Sequence, residues 1–255
     1  MDKILKSINK EFIFNALGID NHLKDSSSRL RFWYDHIRKN ANRDSGDIFE
    51  FGVFRGASLL SVAILLKQLK SSKKVYGFDS FSGFPSYNDF DDLSSFEKFE
   101  GVHFEEDLVQ NFKTLKKIRE QSLNKEIDKK NISSVGEFTD TSLKSLEDKI
   151  EYLGLDNIVL IEGSFSDTLP SFFKEFQGSI SSVNIDCDLY DGYKLALPHI
   201  WKNLREGGYV HLDEYYSLKF PGARIACNEF FKKKGIEPQK QRVREGEFER
   251  WYFIK

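Results

Sequence analysis

Apolar and charged positions alternate at helical spacing through the first part of the chain. The apolar positions fall into two groups: Phe12, Ile13 and Leu17, followed by Leu30, Phe32, Trp33 and Ile37. The polar stretch NRDSGD ends this pattern, because asparagine, aspartate, serine and glycine together are typical of a loop. The sequence therefore predicts an N-terminal helical cap over residues 1–45.

From residue 46 the pattern changes to short apolar runs that alternate with helical segments. The stretch DIFEFGVFRGASLLSVAILLKQLKSSKKVYGFDSF contains an apolar strand, a glycine turn, an apolar helix, a polar loop and a second strand. Further strands are predicted at NIVLIEG, SSVNIDCD, YVHLDEY and FERWYFIK, with turns at SFSDTLP and REGG. Two strands joined by a helix within one sheet form a parallel pair with a right-handed crossover. We therefore expect a mainly parallel sheet with helices on both faces.

One segment interrupts this alternation. Residues 86–135 are rich in aspartate, glutamate, lysine and serine, with scattered phenylalanines. We interpret them as a partly helical insertion, the lid segment, within a domain that spans residues 46–255. A solvated surface loop without a function is the alternative.

Charge and hydropathy narrow the class of protein. The 38 lysines and arginines are balanced by 40 aspartates and glutamates, so the net charge of -2 gives no overall attraction to nucleic acid or to an anionic membrane. A mean hydropathy of -0.48 and the lack of a long apolar run argue against a membrane span. The first residues lack the apolar core of a signal peptide, so we expect a cytoplasmic protein with Cys187 and Cys227 reduced in its core.

The first candidate site is the glycine turn that follows the first strand. Glu50, Gly52 and Gly56 are spaced as E-x-G-x-x-x-G, which is neither the dinucleotide nor the phosphate-loop motif. Glycines at this position allow a ligand to approach the backbone at the start of a helix. Asp79 ends the next strand, where α/β folds place a partner for ribose hydroxyls. The pattern indicates a nucleoside site; tight packing of strand against helix is the alternative.

The second candidate site consists of four acids at two strand ends. Asp186 and Asp188 end one strand, and Asp213 and Glu214 end the next. Residues two apart on a strand point to the same face, so both acids of the first pair can reach one pocket. Such a group either binds a hard divalent cation or divides into acid and base roles. The alternative is that they are solvated residues that cap the following helices.

Taken in order, these motifs resemble a known family. FEFGVFRGAS, VYGFDSFSGFP, IEGSFSDTLP, NIDCDLYDGYKLALPHIWKNLREGGYVHLDEY and FPGARIACNEFF are similar to the macrocin O-methyltransferase (TylF-like) family over about residues 46–235. Members are class I S-adenosylmethionine-dependent methyltransferases, and many methylate sugar hydroxyls in natural-product or polysaccharide pathways. The resemblance implies a Rossmann-like α/β fold with a mainly parallel seven-stranded sheet and an antiparallel C-terminal strand.

The resemblance also implies roles for the candidate residues. The methionine and ribose end of S-adenosylmethionine would be lined by Glu50, Gly52, Gly56 and Ser58, with Asp79 on the ribose hydroxyls and Ser80 beside it. A Mg²⁺ ion would be held by Asp186, Asp213 and Glu214. Asp188 would be the general base.

The function expected from the resemblance is Mg²⁺-dependent O-methylation of a sugar or nucleotide-sugar hydroxyl. A metal-dependent glycosyltransferase that uses the Asp-x-Asp pair is one alternative, and a non-catalytic nucleoside-binding protein is another. The expected partner is a small-molecule acceptor, with neither nucleic acid nor membrane involved. The sequence leaves a homo-oligomer open and does not identify the acceptor.

Overall fold

The fold is built on a seven-stranded sheet, seen in a computed structural model that describes residues 10–255, with side chains described from residue 12. The strands are β1 (Asp47–Phe51), β2 (Val75–Asp79), β3 (Ile158–Glu162), β4 (Ile180–Ile185), β5 (Leu204–Leu212), β6 (Gln239–Lys240) and β7 (Trp251–Ile254). Their order is β3-β2-β1-β4-β5-β7-β6. The first five are parallel, whereas β7 runs antiparallel to both β5 and β6. This confirms the predicted fold class.

Nine α-helices surround the sheet within the described part of the chain. They are α1 (Lys10–Leu17), α2 (Arg31–Asn40), α3 (Ala57–Gln68), α4 (Ser95–Lys98), α5 (Glu106–Leu123), α6 (Leu143–Leu153), α7 (Phe165–Glu175), α8 (Tyr190–Asn203) and α9 (Pro221–Lys234), with a 3-10 turn at Asp89–Asp91. Residues 1–9 of the predicted cap lie outside the described residues.

Two apolar clusters fill the space between sheet and helices. Side chains alternate faces along β1, so Phe49 and Phe51 join one cluster while Ile48 joins the other. The first cluster also contains Phe96 and Phe112 of the lid segment, both buried. The lid segment therefore shares a core with the sheet, although its role as a lid stays a prediction.

The local structure differs from the sequence-based expectation at three places. The expected turn SFSDTLP is mostly the first half of α7, since the Ser164 carbonyl accepts hydrogen bonds from the backbone N–H groups of Asp167 and Thr168 and so starts the helix. The expected turn REGG lies inside β5, where it bulges out of register with β4. The two-residue strand β6 has no pattern of its own in the sequence.

None of the helices within residues 10–255 combines the length and the apolar character needed to cross a bilayer.

Candidate functional site

A cavity of about 640 Å³ opens at the carboxyl ends of the parallel strands. Open α/β sheets bind ligands at this edge, where the connections after the strands diverge. Both candidate regions of the sequence contribute to its wall: Gly52, Ser58, Asp79 and Ser80 from one, and Asp186, Asp188 and Glu214 from the other. One continuous space thus joins the glycine turn to the acids.

The glycine turn (residues 52–56) approaches its neighbours more closely than a side chain would allow. Gly52 has a φ of 89°, and a Cβ there would lie 1.9 Å from the carbonyl oxygen of Asp186. Gly56 has a φ of 82°, and a Cβ there would lie 2.3 Å from the Leu146 side chain. Only glycine meets both the left-handed conformation and the contact. The turn therefore lies directly against the strand that carries the acids.

Asp79 holds the glycine turn in shape. Its Oδ2 accepts hydrogen bonds from the backbone N–H groups of Val53 (2.7 Å) and Phe54 (2.8 Å), and its Oδ1 accepts one from Phe81 (2.7 Å). A carboxylate has about four lone-pair sites, so at least one remains for a ligand hydroxyl. Asp79 therefore shapes the turn and can still bind a ribose from the cavity wall.

Glu50 is fully buried at the base of the turn. Its Oε1 accepts hydrogen bonds from Ser58 Oγ (2.5 Å) and Asn184 Nδ2 (2.8 Å), whereas its Oε2 has no partner among the described residues. Burial raises the pKa of Glu50 to about 7, against the lowering effect of these two hydrogen bonds. Glu50 does not line the cavity, so it supports the site from beneath.

The acid cluster (Asp186, Asp188, Asp213 and Glu214) follows strands β4 and β5. One carboxylate oxygen from each of Asp186, Asp188 and Glu214 lies within 4.8 Å of the others. Asp188 has a φ of 61°, so it turns back toward the cavity in a conformation that is uncommon outside glycine. Burial raises the pKa values of all three, and the neighbouring carboxylates add to this effect.

This donor set suits a hard divalent cation. Mg²⁺ binds carboxylate oxygens, and crowded buried carboxylates repel one another until a cation lies between them. Within the described residues, the Asp188 carboxylate receives no hydrogen bond although only 6% of the residue is exposed. The chemistry of the acid cluster therefore fits a Mg²⁺ ion, and Asp186 and Glu214 are the two expected ligands that converge.

Asp213 does not belong to this group of three converging carboxylates; it contacts Arg29 and His211 instead. It forms an ion pair with Arg29, and its Oδ1 lies 3.6 Å from Nε2 of the buried His211. Burial opposes ionisation of Asp213, but the Arg29 charge and His211 together hold its pKa below the ordinary value. Arg29 also bonds Asp186 Oδ2 at 2.6 Å, and these two acids raise the pKa of its guanidinium.

The structure brings most of the predicted residues to one place. Seven of them line the cavity, whereas Glu50, Gly56 and Asp213 lie behind its wall. Cys187 also lines it, while Cys227 is buried; both are free thiols. Sequence reasoning missed Arg29, Lys219 and Asn184. Asn184 carries a detectable signal, since it precedes Asp186 by two positions and so shares its face of the strand.

Comparison with known proteins gives one family match. The sequence model of the family described as Macrocin-O-methyltransferase (TylF) matches residues 27–116 and 108–246. A curated relative, the 8-demethyl-8-(2,3-dimethoxy-alpha-L-rhamnosyl)-tetracenomycin-C 4'-O-methyltransferase of Streptomyces olivaceus, is 27% identical over 173 residues. That match covers 67% of this chain and 53% of the relative, so the chain spans about half the length of the relative.

Solved structures show the same fold. The calicheamicin methyltransferase CalS11 superposes with a TM-score of 0.61 at 24% identity, over 99% of this chain and 88% of that one. An O-methyltransferase from Bacillus cereus in complex with SAH gives a TM-score of 0.51 at 13% identity, over 100% of this chain and 92% of that one.

Proposed function

Because the chain belongs to the macrocin O-methyltransferase family, we propose that it transfers the methyl group of S-adenosylmethionine to a hydroxyl group of a sugar or nucleotide sugar. The observation that carries the proposal is the single cavity bordered by both the glycine turn and the acid cluster. A methyl donor and a hydroxyl acceptor must meet in one space, and this cavity provides it.

The glycine turn is the donor end of the cavity. Gly52 lets the turn lie against the backbone of Asp186, and the N-terminus of α3 follows the turn. Asp79 fixes the turn and offers its remaining lone pair to a ribose hydroxyl. Glu50 and Ser58 form the floor beneath the methionine end, with Ser80 beside the ribose.

The acid cluster is the acceptor end. In the transfer, the acceptor oxygen forms a bond to the methyl carbon, the bond from that carbon to sulfur breaks, and S-adenosylhomocysteine leaves. The hydroxyl proton moves to Asp188, whose carboxylate receives no hydrogen bond from the described residues and whose pKa is raised by burial and by the charges of Glu214 and Asp186. Leu189 and Leu195 add apolar surface to the wall of the same cavity.

The proposed transfer depends on a Mg²⁺ ion bound at the acid cluster. When bound, Mg²⁺ lowers the pKa of the acceptor hydroxyl and orients it. The resemblance assigns Asp186, Asp213 and Glu214 to the ion, and two of these three belong to the group of converging carboxylates. Removal of divalent ions should therefore abolish transfer without preventing S-adenosylhomocysteine from binding.

The relative from Streptomyces olivaceus is named for methylation of a rhamnosyl group, which supports a deoxysugar acceptor. We place the reaction in a cytoplasmic natural-product or surface-polysaccharide pathway. A glycosyltransferase that uses the Asp-x-Asp pair is not proposed, because the matching family consists of methyltransferases.

The test is methyl transfer from isotope-labelled S-adenosylmethionine to a panel of nucleotide sugars and free glycosides, with Mg²⁺ or with a chelator. We expect label on at least one sugar acceptor, and only with Mg²⁺. Asp188→Asn should lose the transfer, and Asp140→Asn is its matched control, since Asp140 is an exposed acid paired with Arg55 outside the acid cluster. Label on phenols or amines but on no sugar would contradict the proposed acceptor class.

A further inference from the structure

The two strands that carry the acid cluster are joined beyond their last paired residues by one side chain. The register between β4 and β5 ends at Ile185 and Leu212, and Asp186 and Glu214 follow within two residues. Tyr193 of α8 reaches this point. Its Oη donates a hydrogen bond to the carbonyl oxygen of Ile185 (2.7 Å) and accepts one from the backbone N–H of Glu214 (3.2 Å). One phenol hydroxyl therefore bridges the ends of both strands.

Both hydrogen bonds lie in the interior of the protein. Tyr193 is fully buried, and only 6% of Glu214 is exposed. Among the described residues, the backbone N–H of Glu214 has no other hydrogen-bond partner, so loss of the hydroxyl would leave a buried donor unsatisfied. The Ile185 carbonyl also accepts the N–H of Asp213 (3.1 Å), which uses its second lone pair. The hydroxyl thus completes the hydrogen bonding at this end of the strand pair.

The position of Tyr193 is set by the segment that carries Asp188. The helix α8 begins at Tyr190, two residues after Asp188, and Tyr193 lies in its first turn. The backbone N–H of Tyr193 bonds the carbonyl of Leu189 (3.3 Å). Because a helical turn fixes the backbone over these residues, the hydroxyl connects the Asp188 segment with the two strand ends.

The distance between Asp186 and Glu214 depends on this connection. One carboxylate oxygen of each lies within 4.8 Å of the other, although the two residues follow different strands. Like charges at such a distance repel one another, and the strands no longer pair beyond Ile185 and Leu212. Mg²⁺ requires ligands at nearly fixed positions. A side chain that holds the strand ends together therefore also holds a metal site in shape.

We propose that Tyr193 is a positioning residue of the acid cluster, whose hydroxyl holds Asp186 and Glu214 at the spacing that a divalent ion needs. Tyr193 does not line the cavity, so it acts through the backbone of its two partners and not on a substrate. The inference rests on the proposed function, because it gives the acid cluster the role of a metal site.

The test is titration of the purified protein with Mn²⁺, a paramagnetic substitute for Mg²⁺, followed by electron paramagnetic resonance without methyl donor or acceptor. Tyr193→Phe removes the hydroxyl and keeps the ring. Tyr209→Phe is the matched control: Tyr209 is also buried and its Oη accepts a hydrogen bond from Gln241 Nε2 (3.3 Å), but it lies within β5, away from the strand end. Glu214→Gln, alone and combined with Tyr193→Phe, tests whether the effect passes through Glu214.

Tyr193→Phe should weaken Mn²⁺ binding about tenfold, because loss of a group that orients metal ligands typically lowers metal affinity to this extent. Tyr209→Phe should bind Mn²⁺ as the wild type does. Adding Tyr193→Phe to Glu214→Gln should weaken binding about threefold or less, since one of the two positioned ligands is then already lost. The calorimetric affinity of Tyr193→Phe for S-adenosylhomocysteine should stay within twofold.

Mn²⁺ binding by Tyr193→Phe within twofold of the wild type would overturn the proposal, even if the melting temperature falls, because Tyr193 would then be a structural residue alone. A full tenfold further loss on adding Tyr193→Phe to Glu214→Gln would also overturn it. If Tyr193→Phe does not fold, hydrogen exchange of the wild type decides. The Glu214 amide should be protected in the metal-free protein, and rapid exchange there would contradict the bond to Tyr193.

The wild-type titration separates this inference from the proposed function. Absence of Mn²⁺ binding by the folded wild type would contradict both the inference and the proposed Mg²⁺ dependence. Binding by the wild type that Tyr193→Phe leaves unchanged would contradict the inference alone, and the proposed transfer would stand.

Discussion

The carboxylates at the donor end of the cavity and those at its acceptor end have different kinds of partner. Asp79 receives three backbone hydrogen bonds and Glu50 receives two from side chains. At the acceptor end, Asp186, Asp188 and Glu214 lie against one another. The carboxylates of the donor end are thus held by hydrogen bonds within the protein, whereas the proposed cation would balance the charge of the acceptor end.

The largest expected effect is a loss of kcat on substitution of Asp188 at the acceptor end, with ligand binding at the donor end retained. Asp188→Asn keeps the shape of the side chain but cannot accept the hydroxyl proton. We expect kcat to fall about 10²- to 10⁴-fold, while calorimetric affinity for S-adenosylhomocysteine stays within twofold. Asp191→Asn is the control, because Asp191 lines the cavity and already bonds Asn88. Equal losses in both variants would assign the effect to cavity charge rather than to proton transfer.

The next prediction concerns the contact between the two ends. Gly52→Ala places a Cβ against the Asp186 carbonyl, whereas Gly101→Ala, also at positive φ, meets nothing within 4 Å. We expect chemical denaturation to show that Gly52→Ala lowers the free energy of unfolding by about 3 kcal/mol or more, and Gly101→Ala by about 1–2 kcal/mol. Similar losses would mean that the turn can move away from the acid strand.

A third prediction uses pH to examine the donor end. Burial raises the pKa of Glu50 to about 7 in the folded protein, above its ordinary value of 4.5. The folded state therefore holds this proton more tightly, and the stability it contributes is present below pH 4.5 and is lost as pH rises through about 7. Glu50→Gln should remove up to about 3 kcal/mol of that pH dependence, measured by urea unfolding from acid to mildly alkaline pH. Parallel curves for variant and wild type would contradict the raised pKa.

The smallest expected effect concerns support of the acceptor end by the lid segment. The buried Asp91 accepts a hydrogen bond from the backbone N–H of Tyr190 (2.8 Å), in the first turn of the helix that follows Asp188. Asp91→Ala should lower the free energy of unfolding, measured by urea denaturation, by about 1 kcal/mol. It should also lower kcat several-fold without weakening S-adenosylhomocysteine binding. Asp89→Ala, on the exposed side of the same 3-10 turn, should change neither.

The sequence could predict residues at strand ends but not residues that only the folded chain brings together. Periodicity predicts the strands, and strand ends place Asp79, Asp186 and Glu214 at one edge of the sheet because parallel strands share it. Arg29 could not be predicted, since it lies in a loop and meets its partners only through the fold. The helix cap by Asp91 has the same long-range origin.

The direct test of the central claim is calorimetric titration of S-adenosylhomocysteine into the wild type and into Asp79→Asn, each with Mg²⁺ or with a chelator. The account predicts micromolar binding by the wild type in both conditions, weakened about tenfold or more by Asp79→Asn. No detectable binding by the folded wild type in either condition would contradict a methyltransferase pocket at this edge of the sheet.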